Sequence, residues 1–298
     1  MSLDLKRMST ETRNPRTMDL DIMTPLEVVT VMNEEDSKVA GAVKEVLPEV
    51  AKAVSWAIQS IESGARIIYM GAGTSGRLGV LDAVECPPTF GVDPSVVVGL
   101  IAGGEKAFVK AVEGAEDSFD LGEEDLREIN LRAEDIVIGI AASGRTPYVI
   151  GGLRYAKAMG CHTVAISCNP GSAIGQEAEL AIEVVPGPEV LTGSTRLKSG
   201  TSQKLILNMI STATMVGVGK AYHNLMVDVM QTNEKLRVRA ENIVMEATGV
   251  ERSVAREKID LAEGNAKTAI TMILVDCTAA EARERLERAK GHVREAIK

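Results

Sequence analysis

Five short apolar runs punctuate the first two thirds of the chain, at residues 67–70, 96–101, 136–141, 163–167 and 180–185. They are apolar at consecutive positions rather than alternating, as strands covered on both faces of a parallel sheet require. Between most of them apolar residues recur at helical spacing, over residues 77 to about 84, 107–112 with a longer acidic continuation, 147–159 and 173–178. The alternation predicts an α/β fold, a five-stranded parallel doubly wound (flavodoxin-like) sheet flanked by helices. Before the sheet, Thr24-Pro25-Leu26-Glu27 has the form of a capped helix start. An amphipathic pattern then runs from Val39 to about Ile61, with Val43, Val46, Leu47, Val50, Val54 and Ile58 on one face. After the sheet, residues 203 to about 218 are apolar nearly all round, so that helix belongs in the core or against another subunit. Residues 234–247 form a second long helix whose Lys235, Arg237 and Arg239 read as a solvated face. Short charged helices follow at 250–262, 266–274 and 279–290, with a terminal piece to Lys298, and predict a small C-terminal helical bundle. The expected division is 1–53 for an N-terminal arm and helical lead-in, 54–217 for the ligand-binding sheet domain, and 218–298 for a helical C-terminal region. Residues 1–24 are polar and read as an arm ordered only by docking.

The first apolar run ends in Gly71-Ala72-Gly73-Thr74-Ser75-Gly76-Arg77. A strand that turns this tightly into a helix aims several backbone N–H groups, and the positive end of the helix dipole, at one point. Such a corner attracts an anion. Gly71, Gly73 and Gly76 also spell the Gly-x-Gly-x-x-Gly pattern of dinucleotide sites, which does not decide the ligand alone. Two features speak against a nicotinamide cofactor. Thr74 and Ser75 place hydroxyl donors in the turn, suiting the free oxygens of a phosphomonoester. The second run leads into Ala102-Gly103-Gly104 rather than an acidic residue placed for a ribose. The third run repeats the design with Ala141-Ala142-Ser143-Gly144-Arg145-Thr146-Pro147, where Thr146 serves as N-cap, Pro147 as first helical residue, and Gly160 as the stop. In a sheet of order 2-1-3-4-5 these two strand ends are neighbours, and the crevice between them is where ligands bind. Thr74, Ser75, Ser143, Gly144 and Thr146 are therefore expected to hold a phosphate; two ordinary capped helix starts are the plainer reading. The loop at 191–201 joins hydroxyls to Arg196 and Lys198 ahead of the long apolar helix. Positive charge for the site and a capped, solvated loop are both open there.

The 298 residues suffice for one large domain and a small one with a real core. A net charge of -9 argues against a general nucleic-acid surface. It does not prevent phosphate binding, because local N–H groups and dipoles set the field at a site. Cys86, Cys161, Cys168 and Cys277 show no Cys-x-x-Cys spacing and fit neither a disulfide framework nor a zinc site. Neither a metal nor a cofactor is expected. No stretch reads as a signal segment or a membrane span, so a soluble, cytoplasmic protein with no membrane partner is expected. His162, His223 and His292 sit at positions read as structural.

Several longer motifs carry a resemblance. Residues Gly71 to Arg77, Glu85-Cys86-Pro87-Pro88-Thr89, Val112-Glu113-Gly114-Ala115-Glu116-Asp117 and Ala141 to Tyr148 resemble the N-acetylmuramic acid 6-phosphate etherases of the sugar isomerase (SIS) domain superfamily. So do Cys168-Asn169-Pro170-Gly171-Ser172 and Asn224-Leu225-Met226-Val227-Asp228. The likeness runs from about Leu26 to the terminal helices. It implies an SIS sugar-phosphate-binding domain and a lyase that cleaves the D-lactyl ether of its 6-phosphate substrate. The products implied are N-acetylglucosamine 6-phosphate and D-lactate, formed during peptidoglycan recycling. It further implies Glu85 as proton donor and Glu116 as base. Ala141 stands where the wider superfamily commonly has a hydroxyl, which shifts the load to Thr74, Ser75, Ser143 and Thr146.

Two carboxylates and no metal suit that reaction. A β-alkoxy aldehyde loses its alkoxide once the proton beside the carbonyl is removed; one carboxylate takes that proton while the other gives one to lactate. Environments that push the two pKa values apart allow both roles at one pH. Spacing adds a tension, since a straight helix from Gly76 puts Glu85 about 13–15 Å from the phosphate turn. Either Pro87 and Pro88 fold the chain back, or Glu85 serves the site of a partner subunit. The apolar helix at 203–218 suggests a homodimer. The rivals are an aldose–ketose sugar-phosphate isomerase on the same fold and a non-catalytic sugar-phosphate sensor related to glucokinase regulatory protein.

Overall fold

The computed structural model describes residues 8–110, 112–231 and 233–298. Five strands, β1 (Ile67–Gly71), β2 (Val97–Ile101), β3 (Ile136–Ile140), β4 (His162–Ser167) and β5 (Leu180–Glu183), form one sheet in the order 2-1-3-4-5. Every pair in it is parallel. This is the sheet that the five apolar runs predict. The helices before and between the strands are α1 (Pro25–Asp36), α2 (Val39–Lys44), α3 (Leu47–Glu62), α4 (Gly73–Phe90), α5 (Lys106–Val109), α6 (Phe119–Glu128), α7 (Pro147–Ala158) and α8 (Ala173–Glu177). A long helix, α9 (Lys198–Gly217), follows the last strand.

The strands are apolar at consecutive positions because both faces are covered, and every residue of β1 and β3 is buried. On the face of Tyr69, Trp56 of α3 stacks flat on His162 with ring centroids 4.3 Å apart, and Gly79 of α4 backs onto Tyr69. On the other face Ile68, Met70 and Val137 pack with Leu126 of α6, Val149 and Leu153 of α7, and Ile174 of α8. Burying one such side chain contributes about 1.5–3 kcal/mol. The central strands thus form a stiff base for the turns at their ends.

At the N-terminal end of these strands Arg66 Nη2 lies 2.6 Å from Asp135 Oδ2, and the Arg66 and Arg132 backbone N–H groups donate to the same carboxylate at 2.9 Å. Burial alone would raise the proton affinity of Asp135; the bonds from Arg66 and Arg132 outweigh it and hold the carboxyl below its usual range. The remaining guanidinium protons go to the Ile129 and Asn130 carbonyls at 2.9 Å.

The N-terminal arm, whose first seven residues lie outside the described ones, docks on its own sheet unit. Ser9 Oγ donates to the Cys168 carbonyl at 3.2 Å, and Asn14 Nδ2 to the Pro188 carbonyl at 3.2 Å. Thr24 and Glu27 form a reciprocal capping box at the start of α1, as their spacing predicts.

Two helices depart from expectation. The helix after the Gly73 turn does not stop near Val84 but runs through Pro87 and Pro88 to Phe90. Proline lacks the N–H that would bond four residues back. Because only the last turn is affected, the loss is confined to the bonds to Ala83 and Val84. The chain does not fold back there. Helix α9 starts at Lys198 and buries one side, leaving Asn208, Met209, Thr212, Ala213 and Val216 exposed.

The chain divides into two compact units, the sheet unit (through Val84, with Ser95–Ser211) and a second unit of Glu85–Pro94 and Thr212–Lys298. In the second, α10 (Glu234–Thr248), α11 (Arg252–Leu261), α12 (Ala266–Val275), α13 (Ala279–Arg288) and α14 (Val293–Ala296) surround a core that includes Val244, Ile259, Ile270 and Ala282. This is the helical bundle the charged amphipathic segments predict. An antiparallel hairpin of β6 (Ala221–Tyr222) and β7 (Leu225–Met226) has strands too short to leave a periodicity, and the sequence reading lacks it. Buried Lys267 pairs with Asp228 at 2.5 Å and donates to the Gly219 carbonyl at 2.8 Å.

Candidate active site

The three glycines of the first turn are each required by geometry. A Cβ on Gly76 would stand 2.6 Å from the Gly71 carbonyl oxygen, and one on Gly71 would stand 2.8 Å from Gly76 N. Gly73 opens α4 at φ +53°, a left-handed conformation that side chains disfavour. The strand therefore turns into the helix with its backbone stripped of side chains, the form of an anion-binding corner. Parallel pairing sets Gly71 opposite Ile140, so the turns after β1 and β3 emerge side by side, as the sheet order requires.

The second turn is held from beneath. Gly144, at φ +73°, leaves no room for a Cβ, which would fall 2.4 Å from Ser172 Cβ. Asn169 Nδ2 donates to the Ala142 and Ser143 carbonyls at 3.2 and 3.3 Å and to Thr10 Oγ1 at 3.0 Å. The arm and the β4 turn thus fix the loop through one amide. Ser143 Oγ accepts from Arg145 N at 3.3 Å. Thr146 occupies the N-cap position ahead of Pro147, but its hydroxyl makes no capping bond. Thr146 is half-buried, and of the two roles expected for it the capping bond is not made.

The start of α9 closes a third side, since a Cβ on Gly200 would touch Thr74 Cγ2 at 3.5 Å. Ser75 is buried, and its Oγ donates to Gln203 Oε1 at 2.9 Å. The N–H groups of Lys198 and Ser199 bond the fully buried Glu189 carboxylate at 3.0 and 2.9 Å, so this helix start already holds an anion of its own. Lys198 Nζ, buried, pairs with Glu35 at 2.7 Å. Burial pushes Glu35 up, but Lys198, Lys38 and Arg16 together bring its pKa down to about 2. Of the two readings open for Lys198, charge at the site and a solvated loop, neither holds; it is a buried ion-pair partner. Arg77 donates to the Ala107 and Phe108 carbonyls at 2.8 Å, and so tethers α5. No short-range signal in the sequence points to Gln203, Glu189 or Glu35; Asn169 lies in a motif that carries the family resemblance.

Glu116 is exposed on a 3-10 turn, Ala115–Asp117, that follows left-handed Gly114 and packs against α7. Glu85 is exposed on α4, in the segment that belongs to the second unit. The sheet unit brings together the turns carrying Thr74, Ser75, Ser143, Gly144 and Thr146; Glu85 is not part of that unit. Asp82, on α4, is largely enclosed, and burial raises its pKa to about 6 although Ser211 Oγ donates to it at 3.1 Å. A cavity of about 760 Å³ in the second unit, lined by Lys220, Asp228, Arg237, Asp260 and Glu263 among others, contains none of the residues expected from the sequence to bind phosphate or to act as acid or base.

The family model of the SIS domain matches residues 118–213, and that of the glucokinase regulatory protein N-terminal SIS domain matches residues 49–157. Phosphoheptose isomerase from Neisseria gonorrhoeae has a similar fold, with a TM-score of 0.51 at 17% identity, over 64% of this chain and 98% of that one. Sheet order and these likenesses define an SIS-type α/β protein. At the level of sequence, the N-acetylmuramic acid 6-phosphate etherase of Pectobacterium atrosepticum is 59% identical over 99% of this chain and 98% of its own length. That of Bacillus anthracis is 59% identical over 98% of this chain and its whole length. The chain belongs to the N-acetylmuramic acid 6-phosphate etherase family.

Proposed function

We propose that this protein is a carbon–oxygen lyase that cleaves the D-lactyl ether of N-acetylmuramic acid 6-phosphate, giving N-acetylglucosamine 6-phosphate and D-lactate. Family membership over the full length supports the activity. The observation that carries it is the pairing of Gly71 with Ile140, which sets two hydroxyl-bearing turns side by side at a helix start stripped of side chains. Thr74, Ser75, Ser143, Gly144 and Thr146 hold the 6-phosphate. We bound the domain that binds it at residues 54–217.

The sugar reacts as its open-chain aldehyde. Glu116 takes the C2 proton, the electron pair forms the C2–C3 double bond, and the C3–O bond breaks with a proton from Glu85 passing to departing lactate. Water then adds at C3 and a proton returns to C2, with the carboxylates in reversed roles. Both glutamates are exposed in the single chain. Separating their proton affinities takes a drier setting, which bound sugar and a second subunit would supply. Glu85 acts on sugar held by a partner subunit, and the working form is a homodimer covering the exposed side of α9. The role is cytoplasmic, in peptidoglycan recycling, where a charged sugar phosphate is retained.

The test is turnover of N-acetylmuramic acid 6-phosphate in heavy-oxygen water. Label at the C3 hydroxyl with unlabelled lactate is the expected result. Lactate that carries the label, or a ketose product, would sink the elimination route.

A further inference from the structure

Gln203 presents an unbalanced set of bonds. It is fully buried, its Oε1 accepts from Ser75 Oγ at 2.9 Å, and its Nε2 is enclosed with no partner among the described residues. One turn earlier on α9, Ser199 Oγ is also enclosed without a partner. Buried donors left unmade are costly, and groups of this kind call for a physical reason. The two ends of a primary amide have nearly the same shape, so the side chain can turn over in place without displacing its neighbours.

Turned over, Nε2 donates to Ser75 Oγ. A hydroxyl that receives a bond on its oxygen is free to aim its own hydrogen elsewhere. Ser75 stands in the first turn of α4, and the stripped corner between Gly71 and Gly76 lies beside it. An anion at the helix start is the acceptor that the phosphate reading supplies for that hydrogen. In the orientation with Oε1 against Ser75, the hydrogen is consumed by Gln203 and the corner loses a donor. We propose that Gln203 is a positioning residue for the sugar-phosphate site: its amide donates to Ser75 and thereby turns the Ser75 hydroxyl into a phosphate donor. The inference rests on the reading of the corner as the phosphate site, and it adds to it a residue on a different helix, 128 positions along the chain from Ser75.

Three variants test it, read by calorimetric titration with N-acetylglucosamine 6-phosphate and by KM and kcat. Gln203→Met keeps the volume and removes the donor; affinity falls on the order of 10-fold, with KM rising by much more than kcat falls. Gln203→Glu keeps the shape and the acceptor but reverses the bond; it binds more weakly than Gln203→Met, because a carboxylate both consumes the Ser75 hydrogen and repels the phosphate. In the Gln203→Met background, Ser75→Ala costs little more. Wild-type affinity in Gln203→Glu means that Gln203 acts only as an acceptor, and overturns the proposal. So does wild-type affinity in Gln203→Met. Ser75→Ala alone separates the two layers: if it leaves affinity unchanged, the corner is not the phosphate site, whereas a loss in Ser75→Ala without one in Gln203→Met defeats the positioning role only. If Gln203→Met does not fold, Gln203→Asn supplies the same comparison, since the shortened amide no longer reaches Ser75.

Discussion

Strands β1 and β3 lie side by side, and their two ends are finished in opposite ways. At the N-terminal end Asp135 is enclosed, and both its oxygens receive bonds from Arg66 and Arg132. At the C-terminal end the backbone is bared by glycine, the Thr146 hydroxyl is kept off its cap, and Ser199 and Gln203 bury polar atoms without partners among the described residues. A buried polar atom left unpaired costs about 1–3 kcal/mol. One end of the sheet therefore stabilises the fold, while the other carries a cost that, on the proposed function, a bound phosphate would offset.

Mutations should separate the two ends. The largest effect is expected from Glu116→Gln, which lowers kcat about 100- to 10,000-fold. Its exposure means the melting temperature stays put, and C2 proton exchange with heavy water should vanish with turnover; retained exchange would assign the base elsewhere. If Glu85 works across a subunit interface, mixing Glu85→Gln chains with Ser143→Ala/Thr146→Val chains restores activity in the heterodimer. No recovery would place both groups in one subunit. At the closed end, Asp135→Asn leaves Arg66 without its counter-charge and costs about 3–5 kcal/mol in a urea melt. KM per folded molecule should not change, and a raised KM would mean that the two ends are not independent.

Two buried aspartates sharpen the contrast through pH. Asp135 is held below the usual carboxylate range, so its contribution is present above that range and fades as pH falls. At Asp82 burial outweighs the bonds from Ser211 and Tyr69 and the more distant charge of Lys204, and its pKa is raised to about 6. The folded state then binds a proton more readily than the unfolded chain, so the contribution of Asp82 is complete below about pH 4 and lost as pH rises through about 6. That loss is on the order of 2–3 kcal/mol, and Asp82→Asn should flatten it without touching the acid limb. A stability profile identical to wild type would contradict the assignment. The smallest effects belong to Ser143→Ala and Thr146→Val, each of which should raise KM by about 10-fold at unchanged melting temperature.

The sheet was legible in the sequence because coverage on both faces leaves uninterrupted apolar runs, and the first turn because its glycines are forced by contacts only a few residues apart. The Thr24–Glu27 box is equally local. What could not be read is what joins distant segments. Lys198 and Glu35 lie 163 positions apart, and each alone looks like a surface charge. The bond from Ser75 to Gln203 was equally hidden, since the two lie 128 positions apart and nothing near Ser75 announces its partner. Pro87 and Pro88 suggested a helix end, since composition does not say whether more than one turn remains beyond them.

Those two prolines have a mechanical consequence. With no amide hydrogen at either position, the Ala83 and Val84 carbonyls go without their helical donors, and the final turn of α4 is moored by two fewer backbone bonds. Glu85 rides directly on that slackened stretch. The side chain proposed for proton delivery is thus carried on the least securely moored turn of its helix.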